Sequence, residues 1–354
     1  MKARQSRLHR LFGYLLAFLA LAALLRWGSG ATATADDKPP LAPFNLNLPF
    51  VTGTPNWIRV GNIPTGVTIF YDVAVCGSYH LTGTNNGLYA LKAGGSAWQP
   101  QTLGSSSSGI VSGVAFANSE CNLAYVVSQS VGTWRGSRTG DSWSWTLINQ
   151  GLSRPYVVLV RDNTLFVTGD FGIRWTSPLP TNNTAVWQQA TDITTTTYSL
   201  SVGLKSPVVT YAAVWNRGVF EQSPTEATEW HEIGATTIPN RLVYDVAANT
   251  SATATLIAGT DKGLMRRQGS TWATTAGQFT NTNLTVLAVG QRFYAGQKGN
   301  GVLYSVDEGA NWQQMNPNLP VNTDFSVRRL RLNWSKDKLY AATNAGVWQW
   351  PGQP

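Results

Sequence analysis

The sequence predicts an all-β fold, a seven-bladed β-propeller of four-stranded blades closed by an N-terminal strand in the last blade. Three observations carry the prediction. First, one phrase recurs seven times: a few apolar residues, a polar tight turn ending in glycine, then an apolar or aromatic pair, as in Thr84-Asn85-Asn86-Gly87-Leu88-Tyr89 and Thr343-Asn344-Ala345-Gly346-Val347-Trp348. Its glycines are Gly87, Gly132, Gly172, Gly218, Gly263, Gly301 and Gly346, spaced by 45, 40, 46, 45, 38 and 45 residues, a blade-sized period. Second, each of the first six glycines is followed by a tryptophan that opens another alternating segment: Trp98, Trp143, Trp187, Trp230, Trp272 and Trp312. Third, the seventh glycine has no such tryptophan after it, whereas Trp57 stands 41 residues before Trp98 in the same phase. A strand displaced in this way from the last repeat to the N-terminus closes a ring without an open edge.

Taken in chain order, the first element is an export segment. Lys2, Arg4, Arg7 and Arg10 precede Leu11 to Leu25, an uncharged run of 15 residues, and Ala31-Thr32-Ala33 and Ala33-Thr34-Ala35 fit a signal-peptidase site. Residues 1–35 are read as a signal peptide. The alternative is an uncleaved anchor, for which 15 apolar residues fall short of the ~20 that span a bilayer. Residues 36–52, rich in Pro and polar side chains, are read as a linker and 53–352 as one propeller. The whole chain carries +8, but five of its cations and none of its acids lie in the first 35 residues; from Asp36 onward 21 cations meet 18 acids, or +3. The basic balance thus belongs to the export segment and gives no support for nucleic-acid binding.

Within each repeat the glycine satisfies hairpin chemistry, since a short β-turn needs a residue at positive φ. Asn or Asp stands two residues earlier in five of the seven copies, for the same reason. Two further β-rich runs separate each tryptophan from the next glycine, such as 68–75 and 79–82. Four strands per blade follow: inner A, B, C after the glycine, and outer D at the tryptophan. The D–A and B–C loops then share one face, and the A–B and C–D loops the other.

This arrangement selects candidate residues. Asp170, Arg217, Asp261 and Lys262 fall in B–C turns, and the cations Arg217 and Lys262 have no turn-forming reason to be there. Arg329 and Arg331 alternate onto one side of the last inner strand, where they can hold an anionic group or pair with inner-strand acids such as Asp72 and Asp245. Cys76 and Cys121, the only cysteines, each lie 11 residues before a glycine anchor in neighbouring repeats. In an exported protein that position invites a disulfide, with two buried free thiols as the alternative. The chain has 15 Trp, and the seven outside the repeat phase and the export segment, Trp134, Trp145, Trp175, Trp215, Trp334, Trp348 and Trp350, are compatible with core packing or with stacking on sugar rings.

Ser305-Val306-Asp307-Glu308-Gly309-Ala310-Asn311-Trp312 matches the pattern Ser-x-Asp-x-Gly-x-x-Trp. With it the chain resembles the Asp-box (BNR-like) propeller superfamily, which includes sialidase-like, sortilin-like and photosystem II assembly-factor-like propellers. The resemblance implies a structural role for Ser305, Asp307, Gly309 and Trp312 in a C–D turn. It carries over no catalytic residue. A sialidase needs an arginine cluster, a Tyr–Glu pair and a carboxylic acid, and here the nearest stretch to the family's Arg-Ile-Pro is the interrupted Arg59-Val60-Gly61-Asn62-Ile63-Pro64. Outside the export segment only His80 and His231 remain of three histidines, in different repeats, which argues against a His-based metal site or a catalytic triad. No phosphate loop and no cofactor motif is present in the sequence. The expectation is an exported, monomeric, non-catalytic scaffold that binds a protein or glycan on the D–A/B–C face or at the axial channel mouth. It needs no cofactor and meets the membrane only through its N-terminal segment. The alternative is a sialidase-like glycoside hydrolase or lyase working at the axis.

Overall fold

The computed structural model of the chain describes residues 55–352 apart from 93, 106–108, 150, 204–207, 224–225, 227, 235–237, 239–241, 250–253 and 276–281. The export segment and linker read from the sequence lie outside the described residues. Seven four-stranded antiparallel sheets form the blades of a β-propeller. Blade 1 is β2 (Phe70–Cys76), β3 (Tyr79–Thr84), β4 (Gly87–Lys92) and β5 (Gln99–Gln101). Blade 2 is β6 (Val111–Phe116), β7 (Leu123–Ser128), β8 (Gly132–Thr139) and β9 (Ser142–Asn149), and blade 3 is β10 (Pro155–Arg161), β11 (Thr164–Gly169), β12 (Gly172–Thr176) and β13 (Gln188–Gln189). Blade 4 is β14 (Thr197–Gly203), β15 (Val209–Val214), β16 (Gly218–Gln222) and β17 (Trp230–Glu232), and blade 5 is β18 (Val243–Ala248), β19 (Leu256–Thr260), β20 (Gly263–Gln268) and β21 (Thr271–Thr274). Blade 6 is β22 (Asn283–Val289), β23 (Arg292–Gln297), β24 (Gly301–Ser305) and β25 (Gln313–Gln314). Blade 7 is β26 (Val327–Leu332), β27 (Leu339–Thr343) and β28 (Gly346–Trp350), and its outer strand is β1 (Ile58–Val60), paired antiparallel with β28 from Ile58 opposite Gln349 to Val60 opposite Val347.

Each repeat glycine opens the third strand of its blade with positive φ, from 77° at Gly301 to 111° at Gly263. At Gly172 the carbonyl of Ile193 would lie 1.9 Å from a Cβ, so space as well as backbone conformation demands glycine. Threonine locks the turn from the other side. The hydroxyls of Thr84, Thr260 and Thr343 donate to the carbonyls of Gly87, Gly263 and Gly346 at 2.7 to 2.9 Å and accept from the backbone NH of Asn86, Lys262 and Ala345. Asn85 and Asn344 then tie the preceding loop to the turn by accepting from the NH groups of Ile69 and Ser326, both at 2.9 Å.

The hydrophobic core is divided among the interfaces between blades. Seven buried clusters occur, one at each junction, including Cys76, Leu81, Leu88, Val114 and Trp134 between blades 1 and 2 and Phe70, Val75, Tyr89, Trp98, Tyr340 and Val347 between blades 7 and 1. Face-to-face sheets bury apolar side chains on both surfaces, which explains why the inner and second strands read as nearly continuous apolar runs. The repeat tryptophans also bond across junctions. Trp57, Trp98 and Trp272 donate from Nε1 to Met315, Val60 and Ile233, each carbonyl at the end of the preceding blade's outer strand.

Every inner strand carries a bulge at the same place. The register with the second strand skips one residue in all seven blades, at Tyr71, Ser112, Tyr156, Tyr198, Tyr244, Leu284 and Arg328. A bulge leaves one residue outside the ladder and turns its side chain to a new direction. Here the seven extra residues form a ring at the end of the inner strands where the D–A and B–C loops meet.

Candidate functional site

Directly beneath that ring stand the residues that follow each bulge, among them Asp72, Ser199, Asp245, Thr285 and Arg329. Their side chains bolt blade to blade. Asp72 accepts from the Val114 NH at 3.2 Å, Asp245 from the Val286 NH at 3.0 Å, and Thr285 from the Leu330 NH at 3.2 Å, each on the next blade. Arg331 grips Asp72 through Nε and Nη2, both at 2.9 Å, across the closure between blades 7 and 1. Arg329 Nη1 lies 3.3 Å from Asp245, whose other oxygen accepts from Ser199 and from the Val246 NH. Asp72 is fully buried. Burial pulls the Arg331 pKa down, but the Asp72 carboxylate outweighs it and the guanidinium is held above its ordinary value.

Thus of the two roles open to Arg329 and Arg331 from the sequence, the geometry uses both for pairing with Asp72 and Asp245. Their remaining surface faces a cavity of about 430 Å³. That cavity opens between the A–B turns, since Gly290, Asn333, Trp334 and Lys336 rim it, and so lies at the opposite end of the channel from the B–C turns.

The other four predicted ligand residues come together on the D–A/B–C face of blades 3 to 5. Asp170 accepts from Arg154 at 2.6 Å, from the Tyr156 hydroxyl at 2.9 Å and from the Thr196 hydroxyl at 3.2 Å. Arg217 donates to the Asp192 carbonyl and places its guanidinium 4.6 Å from the centre of the Phe220 ring. Lys262 Nζ stands 3.7 Å from Asp261, whose other oxygen, Oδ1, is buried without a hydrogen-bond partner.

Between these charges runs an aromatic arc that alternation alone does not reveal. Tyr156, Tyr198 and Tyr244 are the bulged residues of three consecutive blades, with ring centres 5.3 Å apart for the first pair and 5.7 Å for the second. Trp215, from the B–C turn of blade 4, meets Tyr198 edge-on at 5.4 Å and Tyr244 at 6.1 Å and is 36% exposed. Burial first, and then the Asp170 carboxylate, push the Tyr156 hydroxyl up to about 12; burial likewise raises Tyr198 and Tyr244. All three tyrosines are therefore neutral donors at physiological pH. The arc offers apolar faces and phenolic hydroxyls within one patch flanked by charges.

The two remaining predicted groups have structural surroundings. Ser305 donates to Asp307 at 2.7 Å and accepts from the Gly309 NH at 2.8 Å, while Asp307 accepts from the Asn311 backbone at 2.9 Å and side chain at 2.7 Å. These bonds, the Asn311 NH foremost, hold the Asp307 carboxyl down to about 2. Trp312 donates to the Gly309 carbonyl and is buried at the junction of blades 5 and 6. Cys76, at the end of β2, is disulfide-bonded to Cys121, in the A–B turn of blade 2, with Cα atoms 5.5 Å apart. Among the described residues no three His, Cys, Asp or Glu side chains gather as a metal site.

No known family profile and no curated protein sequence matches the chain. Solved structures do. The extracellular domain of BT4673 from B. thetaiotaomicron, a hybrid two component system by its description, superposes with a TM-score of 0.66 at 13% identity over 84% of this chain, which spans 40% of that one. YCF48 bound to D1 peptide superposes at 0.61, 17% identical, over 86% of this chain and 97% of that one; YCF48 from Cyanidioschyzon merolae gives 0.60 at 16%, over 83% and 98%. At these identities the likeness is one of fold.

Proposed function

We propose that the chain is an exported, non-catalytic propeller that holds a segment of a partner protein across the aromatic arc of blades 3 to 5. The arc itself carries this reading: three tyrosines and a half-exposed tryptophan, flanked by Arg154, Asp170, Arg217, Asp261 and Lys262, form an amphipathic patch of the residue types that anchor protein interfaces. The export reading rests on the N-terminal sequence, and an extracellular domain and a peptide-bound protein among the fold neighbours support both halves of the proposal. The hydrolase alternative asks for two carboxylates free to act as acid and base. Asp72 and Asp245 instead each accept backbone NH groups and face a guanidinium.

The test is affinity capture from extracytoplasmic extract, followed by titration with the purified partner. The expected result is one partner bound at a 1:1 ratio by the native protein and by Arg329→Met, and lost in Tyr198→Ala/Trp215→Ala. Binding to immobilised glycans in place of a protein, or a partner that the double variant still holds, would overturn the proposal.

A further inference from the structure

The cavity at the A–B end has no part in that reading. Its walls come from the inner strands of all seven blades, and Leu159, Val160, Val202, Leu287 and Leu332 line it while only partly buried. At about 430 Å³ it lies within the ~300–1,000 Å³ that small-molecule pockets occupy. Leaving such aliphatic surface facing water is unfavourable, and an apolar occupant removes that cost.

The charges on the wall specify what the occupant carries at one end. Arg329, Arg331 and Lys336 line the cavity against a single lining acid, Asp245; counting Asp72 behind the wall, three cations still meet two acids. Asp72 takes Nε and Nη2 of Arg331 and leaves Nη1, and the Arg331 side chain is 26% exposed. Arg329 Nε is buried without a partner. Arg331 thus keeps a donor at the inner end of an apolar chamber with a positive balance, and Arg329 adds its charge beside it. Trp334, 44% exposed, stands at the outer rim beside Lys336.

We propose that this cavity is a second binding site, for a small apolar monocarboxylate that enters between the A–B turns and sets its carboxylate against Arg331 and Arg329. Guanidinium groups suit a carboxylate because their N–H fork matches its two oxygens. The site is separate from the aromatic arc, so either can fail without the other.

Octanoate is the probe, titrated into the protein by calorimetry, with octan-1-ol as its uncharged counterpart. Octanoate is expected to bind at one site, with octan-1-ol about tenfold weaker or more, the loss of one charge-assisted contact. Ala288→Trp fills the chamber without touching either ion pair; it is expected to abolish binding while melting like the native protein. Arg329→Met is expected to weaken octanoate about tenfold and leave octan-1-ol unchanged. The proposal is overturned by no binding of octanoate, by equal affinity for acid and alcohol, or by unchanged affinity in Ala288→Trp. Tighter binding of a short peptide ending in a leucine carboxylate would also overturn it, by making a chain terminus the occupant.

Discussion

Blade 1 is joined to its two neighbours by different chemistry. Toward blade 7 the joint is noncovalent: the Arg331–Asp72 pair at the axis, Tyr340 and Trp98 packed against His80, the Trp98 bond to the Val60 carbonyl, and the Trp334 NH on the Val75 carbonyl at 2.7 Å. Toward blade 2 it is covalent, through Cys76 and Cys121, with an exposed Lys92–Asp141 pair further out. The first joint closes the ring and depends on protonation; the second lies between blades consecutive in the chain and depends on redox state. One blade is therefore held on its two sides by contacts that answer to unrelated chemical changes.

The largest effect is expected at the closure. Asp72→Ala leaves the Arg331 guanidinium without its partner at the closure and also removes the acceptor of the Val114 NH on blade 2, and should cost about 4 kcal/mol in denaturant unfolding. A loss no larger than that of an exposed ion pair would show that the Arg331–Asp72 contact does not hold the closure. Replacing both cysteines by alanine frees a loop of 45 residues in the unfolded chain and should cost up to about 4 kcal/mol, with the same loss on adding reductant to the native protein. Equal melting with and without reductant would show that the disulfide contributes nothing to that joint.

A smaller effect distinguishes the joints by pH. Burial, reinforced by Lys338 and only partly opposed by a hydrogen bond with Leu91, lowers His80 from 6.5 to about 4. The unfolded chain thus takes up the proton first. The stability from a neutral His80 is whole above pH 6.5 and is lost as pH falls through 4, by about 2 kcal/mol at pH 5. His80→Phe should remove that part of the acid sensitivity, and identical pH profiles for the two proteins would locate the sensitivity elsewhere. Smallest of all is Lys92→Ala, which breaks an exposed pair and should leave the melting temperature unchanged.

What was legible in the sequence follows the same physics. The blades could be read because every B–C turn needs positive φ, and only glycine supplies it cheaply; the closing strand could be read because Trp57 keeps phase with the other tryptophans. Asp72 and Asp245 could be named as partners for Arg331 and Arg329, but which arginine takes which acid could not, since it depends on which blades face each other. The aromatic arc stayed hidden for a local reason. A bulge interrupts the two-residue alternation, and the distance from each bulged residue to its glycine varies because A–B turns differ, from 77–78 in blade 1 to 117–122 in blade 2. A tyrosine at the second place of four inner runs, Tyr71, Tyr156, Tyr198 and Tyr244, was the available signal, and only a register resolves it.

The placement of β1 beside β28 sets the order of events during synthesis. The first strand of the ring leaves the ribosome with no partner and waits for the whole of the propeller, since the residues it pairs with, Val347 to Gln349, follow every other strand of the ring. Every earlier blade can form its own hairpins as it emerges, but closure is a contact of nearly maximal sequence separation and comes late. Until then the nascent chain carries two unpaired edges. A product lacking β28 would keep them, so the pairing of β1 with β28 and the loss of the adhesive edges are one step.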